Sequence, residues 1–209
     1  MDVSEYIRSL HANEDEHLKR IKQAVYEAEM PEISIPPETG QALKLLIRMT
    51  NRKRVLEIGC LGGYSSLWMA RGLAEDGVVV SLEKEKKHVE VAKKELEQTP
   101  DGQKISIRHG DALEALQTMS EENERFDFFF IDADKERYEA YLDACIEIAQ
   151  PGAIIAADNV LWKNRVIDPD VQDDLTIDVR SFNETVAADD RVDSLILPIG
   201  DGLTVALVR

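Results

Sequence analysis

Cysteine is scarce: Cys60 and Cys145 are the only two in 209 residues, each inside an apolar segment and neither in a CxxC pair or a zinc-ligand spacing. That excludes a disulfide framework and a structural zinc cluster, and it leads us to expect two buried free thiols in a reducing compartment. Long hydrophobic runs are absent too, none approaching the roughly 18 to 20 residues a helix needs to cross a bilayer. The first 30 residues carry Glu5, Glu14, Asp15, Glu16, Glu27 and Glu29 and lack the apolar stretch and cleavage pattern of a secretory signal. A cytoplasmic setting with no membrane association is therefore expected. Positive charge is also short: 25 Lys and Arg against 41 Asp and Glu leave a formal net charge of −16, a field that repels a phosphate backbone and disfavours nucleic acid as a partner. The cluster Arg52, Lys53, Arg54 reads as a solvated turn ahead of a strand. No internal repeat or low-complexity stretch occurs.

What is present suits one substantial core. With 44% hydrophobic residues, the chain is expected to be a single domain over 1–209, in which amino-terminal helices (1–50) cover the site and 51–209 form the catalytic α/β part. Val3, Ile7, Leu10 and then Leu18, Ile21, Val25, Ala28 recur at helical spacing, so the first ~28 residues form one or two amphipathic helices. Pro31, Pro36 and Pro37 end that region, and a further helix spans about 38 to 49.

From Arg54 onward short apolar runs alternate with helical patterns: VLEI at 55–58, VVVSLE at 78–83, ISIR at 105–108, FDFFFID at 126–132 and AIIAAD at 153–158. Runs apolar on consecutive positions mean that both sheet faces are covered, which predicts a doubly wound, mostly parallel sheet. After a helix around 171 to 188, VDSLILPI and GLTVALVR flank Gly200, Asp201 and Gly202, predicting an antiparallel carboxyl-terminal hairpin and seven strands in all.

In such sheets ligands bind beyond the carboxyl ends of the strands. The first strand is followed by EIGCLGGYS, where glycines let the backbone turn tightly and approach a ligand. A dinucleotide fingerprint starting at Gly59 would need glycines where Leu61 and Tyr64 stand, so a cofactor without phosphates fits better. Glu83 ends the second strand, placed to accept hydrogen bonds from two vicinal ribose hydroxyls. Asp111 and Glu114 form a capping box for the next helix, and the backbone beside that cap can also contact an adenine.

Asp132 ends the fourth strand, and Asp158 with Asn159 ends the fifth. Neighbouring strand ends would gather two carboxylates and one amide oxygen, three hard ligands that suit magnesium or manganese, with open positions for water and substrate oxygens. Lys135 is expected on the first turn of the following helix, as a general base or hydrogen-bond partner beside that cation.

Four motifs in order carry a resemblance: E-I-G-x-x-x-G-Y-S at 57–65, F-I-D-A-D-K at 130–135, D-N-V-L-W at 158–162 and P-I-G-D-G-L-T at 198–204. Over 33–209 the sequence resembles the cation-dependent O-methyltransferases typified by the caffeoyl-coenzyme A and catechol enzymes. The resemblance implies a Rossmann-like class I methyltransferase fold and S-adenosylmethionine as cofactor. It implies cofactor contacts from Ile35, Glu57, Gly59, Ser65, Glu83, Asp111, Ala112, Asp132 and Asp134. A divalent cation, magnesium first and manganese or calcium as alternatives, would sit on Asp132, Asp158 and Asn159, with Asp132 and Lys135 catalytic. The expected acceptor is a small catechol-like or hydroxylated aromatic molecule, and the expected assembly a homodimer. A tRNA hydroxyuridine methyltransferase is the alternative, against which the acidic balance argues. One departure stands out: Asn164 replaces a glycine of the family pattern, and asparagine tolerates the left-handed backbone that such a position requires. Trp162 either shapes the acceptor pocket or packs.

Overall fold

A computed structural model describes residues 3–209; Met1 and Asp2, at the start of the expected amino-terminal helices, lie outside the described residues. Two helices form there, α1 (Val3–His11) and α2 (Glu16–Glu27), separated because the Asp15 carboxylate caps the second by accepting the Leu18 N–H at 3.1 Å. Helix α3 (Pro37–Met49) starts with proline at its first position, where a missing N–H costs nothing. Then follow β1 (Arg54–Ile58), α4 (Tyr64–Ala70), β2 (Val78–Glu83), α5 (Lys86–Leu96), β3 (Ile105–His109), α6 (Ala112–Glu121), β4 (Phe126–Ile131), α7 (Tyr138–Glu147), β5 (Ala149–Asp158), α8 (Asp174–Ala188), β6 (Val192–Leu197) and β7 (Leu203–Val208). The strands form one seven-stranded sheet in the order β3-β2-β1-β4-β5-β7-β6.

The chain divides into two compact units, Met1–Ala112 and Leu113–Arg209. In the first, β1, β2 and β3 pair in parallel, with Val55 opposite Val79 and Val79 opposite Ile105. Val55, Leu56, Glu57 and Ile58 are buried on consecutive positions, as a strand covered on both faces requires. Helix α4 packs on α3, and α2 packs on α5, where Arg20 donates to both oxygens of buried Glu95 at 3.0 and 3.4 Å.

In the second unit β4 and β5 pair in parallel, Phe128 opposite Ile154 through Ile131 opposite Ala157. β5 begins at Ala149, earlier than the apolar run suggested, because Ala149 pairs with Phe126 ahead of a bulge that takes up Pro151 and Gly152, the latter at φ 76°. β7 runs antiparallel to both β5 and β6, which gives the expected hairpin. Helix α8 starts at Asp174 rather than near Val171 because Asp173 caps it, accepting the Thr176 N–H at 3.2 Å. Cys60 and Cys145 are free and buried. Among the described residues no helix is long and apolar enough to cross a membrane.

Gly62 shows how tightly α2 is seated on the first unit. A Cβ there would stand 2.4 Å from Val25 Cγ2 of α2. Gly62→Ala is expected to destabilise the chain by about 1–3 kcal/mol through overpacking. In urea unfolding, the double variant Gly62→Ala/Val25→Ala should lose less than the sum of its two single changes; strict additivity would show that the two positions do not press on each other.

Candidate active site

In the first unit, the loop after β1 turns through left-handed backbone at Gly59 (φ 95°), Leu61 (φ 48°) and Gly63 (φ 85°). The Glu83 carboxylate at the end of β2 fixes that loop. Its Oε2 accepts the N–H groups of Cys60 (3.2 Å) and Leu61 (2.8 Å), while Oε1 accepts Glu85 N–H (2.9 Å) and lies 3.3 Å from His88 Nδ1. The expected ribose acceptor thus also serves as the clamp of the glycine loop, and backbone donors already engage its two oxygens. A sugar diol arriving there would meet a carboxylate held in one orientation.

Glu57 is fully buried beneath the same loop. Its carboxylate accepts from the hydroxyls of Ser65 and Ser66 in the first turn of α4, and from Ser81 on β2 at 2.5 Å. An ionised buried carboxylate needs such donors, and these tie β1, α4 and β2 together. The Ser65 hydroxyl, expected at the cofactor, donates to Glu57. Glycine serves two purposes here: Gly59 supplies backbone freedom, whereas Gly62 and Gly63 also make room for Val25 and Leu96, against which an added Cβ would stand 2.4 and 2.8 Å away. Ile35 is buried in the segment before α3, Asp111 follows β3, and Ala112 opens α6.

In the second unit, Asp132 directly follows β4 and Asp158 is the last residue of β5, so the parallel register that pairs Ile131 with Ala157 brings them out side by side. Lys135 links the two ends. It lies in a short 3-10 turn (Lys135–Arg137) that precedes α7, rather than in the first turn of an α-helix, and it is buried. Its Nζ donates to Asp132 Oδ1 at 3.3 Å, to the Asp158 carbonyl at 3.5 Å and, closely, to the Tyr138 hydroxyl. Asp134 begins that turn.

Tyr138 escaped the sequence reading. Its hydroxyl is fully buried and lies 3.2 Å from the Ile131 carbonyl and 3.1 Å from that of Asp158, so it seats Lys135 between the two strand ends. Burial, with the charges of Asp132 and Asp158, raises its phenol well above the ordinary tyrosine value. The K-x-x-Y spacing across a helix start was the available signal.

Asp158 is the focus of the second unit. It is 1% exposed, and its Oδ1 is buried with no hydrogen-bond partner. Oδ2 accepts the Asn159 side-chain amide, at 3.3 Å. Burial first, and then the neighbouring charge of Asp132, push its pKa up to about 7. A buried carboxyl with an unpartnered oxygen can take a cation there, and a hard divalent ion matches the donor set of two carboxylates and one amide. Among the described residues no three His, Cys, Asp or Glu side chains cluster as a metal site; Asp132, Asp158 and Asn159 offer two carboxylates and an amide instead. Beyond them, Asn164 adopts the expected left-handed conformation, φ 62°.

The geometry can be set beside known proteins. The profile of a family described as "O-methyltransferase" matches residues 8–209. A catechol O-methyltransferase of Niastella koreensis is 37% identical, the alignment covering 99% of this chain and 96% of that one. Caffeoyl-CoA O-methyltransferase 2 of Zea mays is 32% identical over 97% of this chain and 81% of its own. The crystal structure of a Bacillus cereus O-methyltransferase in complex with SAH superposes with a TM-score of 0.92 at 36% identity, covering 99% and 97% of the two chains.

The raised Asp158 pKa has a sign that can be tested. Between about pH 4 and 7 the unfolded chain ionises this group while the folded, metal-free chain keeps it neutral, so its contribution to stability is full below the unfolded value and is lost as pH rises through about 7. In chelator, Asp158→Asn should gain stability relative to the parent as pH rises across that window and hold a constant difference above it. Parallel stability curves from pH 4 to 8 would contradict the assignment.

Proposed function

The chain belongs to the O-methyltransferase family, and on that premise we propose that it transfers the methyl group of S-adenosylmethionine to a hydroxyl of a small catechol-like aromatic acceptor, with a divalent cation held by Asp132, Asp158 and Asn159. The observation that carries the reading is the unpaired, buried Oδ1 of Asp158. Both named relatives are O-methyltransferases with aromatic acceptors in their names, and the Bacillus cereus structure holds SAH, which supports the cofactor.

When bound, S-adenosylmethionine supplies a methyl group activated on sulfonium, and the cation favours ionisation of a phenol whose unperturbed pKa is about 10. The chain's own residues do the rest. Glu83, held by loop N–H groups, would take the ribose, with Gly59 giving the backbone room and Ile35, Glu57, Ser65, Asp111, Ala112, Asp132 and Asp134 as the other cofactor contacts the resemblance implies. Asp132, Asp158 and the Asn159 amide supply three hard oxygens that fix where an acceptor oxygen stands, magnesium being the first candidate ion. Lys135, seated by Tyr138, holds or removes the acceptor's proton. Alignment and charge stabilisation account for the rate, since the sulfonium is already reactive.

A homodimer belongs to the same reading, supported by the exposed side chains of Val3, Tyr6, Ile7 and Leu10 on α1. The acidic composition and free thiols support a cytoplasmic setting.

A panel of dihydroxylated aromatics with labelled S-adenosylmethionine, with magnesium and with chelator, tests the proposal. Turnover should disappear on chelation. Asp158→Ala should lose at least about 100-fold in rate, a loss of several kcal/mol of transition-state stabilisation, with cofactor affinity held within about twofold. Turnover that survives chelation, or an unchanged rate in Asp158→Ala, would overturn it.

A further inference from the structure

The residues after Asp158 follow an unusual path. Asn159 has φ 59°, and Trp162, Lys163 and Asn164 follow at 47°, 56° and 62°, three consecutive left-handed residues without a glycine among them. Such a run persists only where its surroundings fix it. The turn between β6 and β7 does so. Beyond the last strand pair, Asp158 with Leu203, the pairing continues: Val160 donates to the Gly202 carbonyl at 3.2 Å and Leu161 to the Asp201 carbonyl at 2.8 Å. The Asp201 side chain then accepts the Lys163 N–H on Oδ1 at 2.6 Å.

Three further contacts close the arrangement. Trp162 N–H returns to the Asn159 carbonyl at 3.3 Å, so the two ends of the strained turn are tied to each other. Asn183 of α8 donates to the Val160 carbonyl at 2.8 Å. Gly202, at φ 87°, leaves no room for a side chain, since a Cβ would stand 2.5 Å from Leu161 Cγ and 2.9 Å from its nitrogen. The hairpin turn is thus moulded onto the segment that begins with Asn159.

We propose that Asp201 is a positioning residue: by holding Leu161 and Lys163 through its carbonyl and carboxylate, it fixes the strained turn and with it the Asn159 amide and the Trp162 ring. The inference deepens the proposed function, resting on its reading of Asn159 as a cation ligand. Asp201 acts through hydrogen bonds rather than through its charge, although that charge also reaches Asp158. Asparagine at this position would keep the Oδ1 acceptor and remove the charge, which separates the two roles.

The test uses the full chain with Asp201→Ala and Asp201→Asn, read by amide hydrogen exchange at Leu161 and Lys163, by binding of manganese alone, and by calorimetric binding of S-adenosylhomocysteine. In Asp201→Ala, exchange at both amides should rise at least about tenfold and manganese affinity should fall about tenfold, the usual size of an effect behind a metal ligand. Asp201→Asn should stay within about twofold of the parent in both, and the nucleoside should bind all three chains alike. Unaltered exchange in Asp201→Ala overturns the positioning role, and equal loss in both variants assigns the effect to charge and overturns it too. A parent chain that binds no manganese removes the cation reading itself, an outcome seen without any variant. Faster exchange in Asp201→Ala with manganese affinity intact overturns the link from turn to ligand.

Discussion

The buried carboxyl group of Asp158 constrains everything around it in the second unit. A carboxyl group removed from water needs donors or a cation to ionise, and this one leaves its Oδ1 without a hydrogen-bond partner while Oδ2 accepts the Asn159 amide. Its neighbours relieve the deficit only in part: Asp132 adds charge of the same sign, and the Lys135 charge acts on it from a distance, bonding the Asp132 carboxylate and the Asp158 backbone carbonyl. The sheet enforces the conflict, since parallel pairing of β4 and β5 delivers both acids at adjacent strand ends.

The first unit resolves the same problem internally. Glu57 is as buried as Asp158, but three serine hydroxyls donate to it and tie β1, α4 and β2 together. Glu83 lies between these extremes, held at a strand end by three backbone N–H groups. Three buried acids on three strands thus divide by their partners: one closed, one clamped, one open.

Much of this was legible in the sequence. The run Phe126 to Ile131 could only be a strand covered on both faces, and the acids after each strand followed from where the strands stop. The left-handed backbone at Asn164 was legible from the glycine that the family pattern has there, whereas that of Trp162 and Lys163 was not. What escaped depends on pairs distant in sequence. Nothing local says that Ser65, Ser66 and Ser81 would converge on Glu57, that Gly62 yields to Val25, or that Asp201 would reach back to Lys163. Tyr138 was missed because its role lies in seating another side chain, and the α-helix starts at Tyr138 itself, three residues after Lys135, which was expected on its first turn.

The most direct test of the account is the titration of the Asp158 carboxyl itself, followed by carbon-13 NMR with and without magnesium. Without the ion the resonance should titrate near pH 7, and with saturating magnesium its midpoint should fall below the ordinary aspartate value of about 3.9. A midpoint that magnesium leaves unmoved would contradict the claim that this oxygen is kept for a cation.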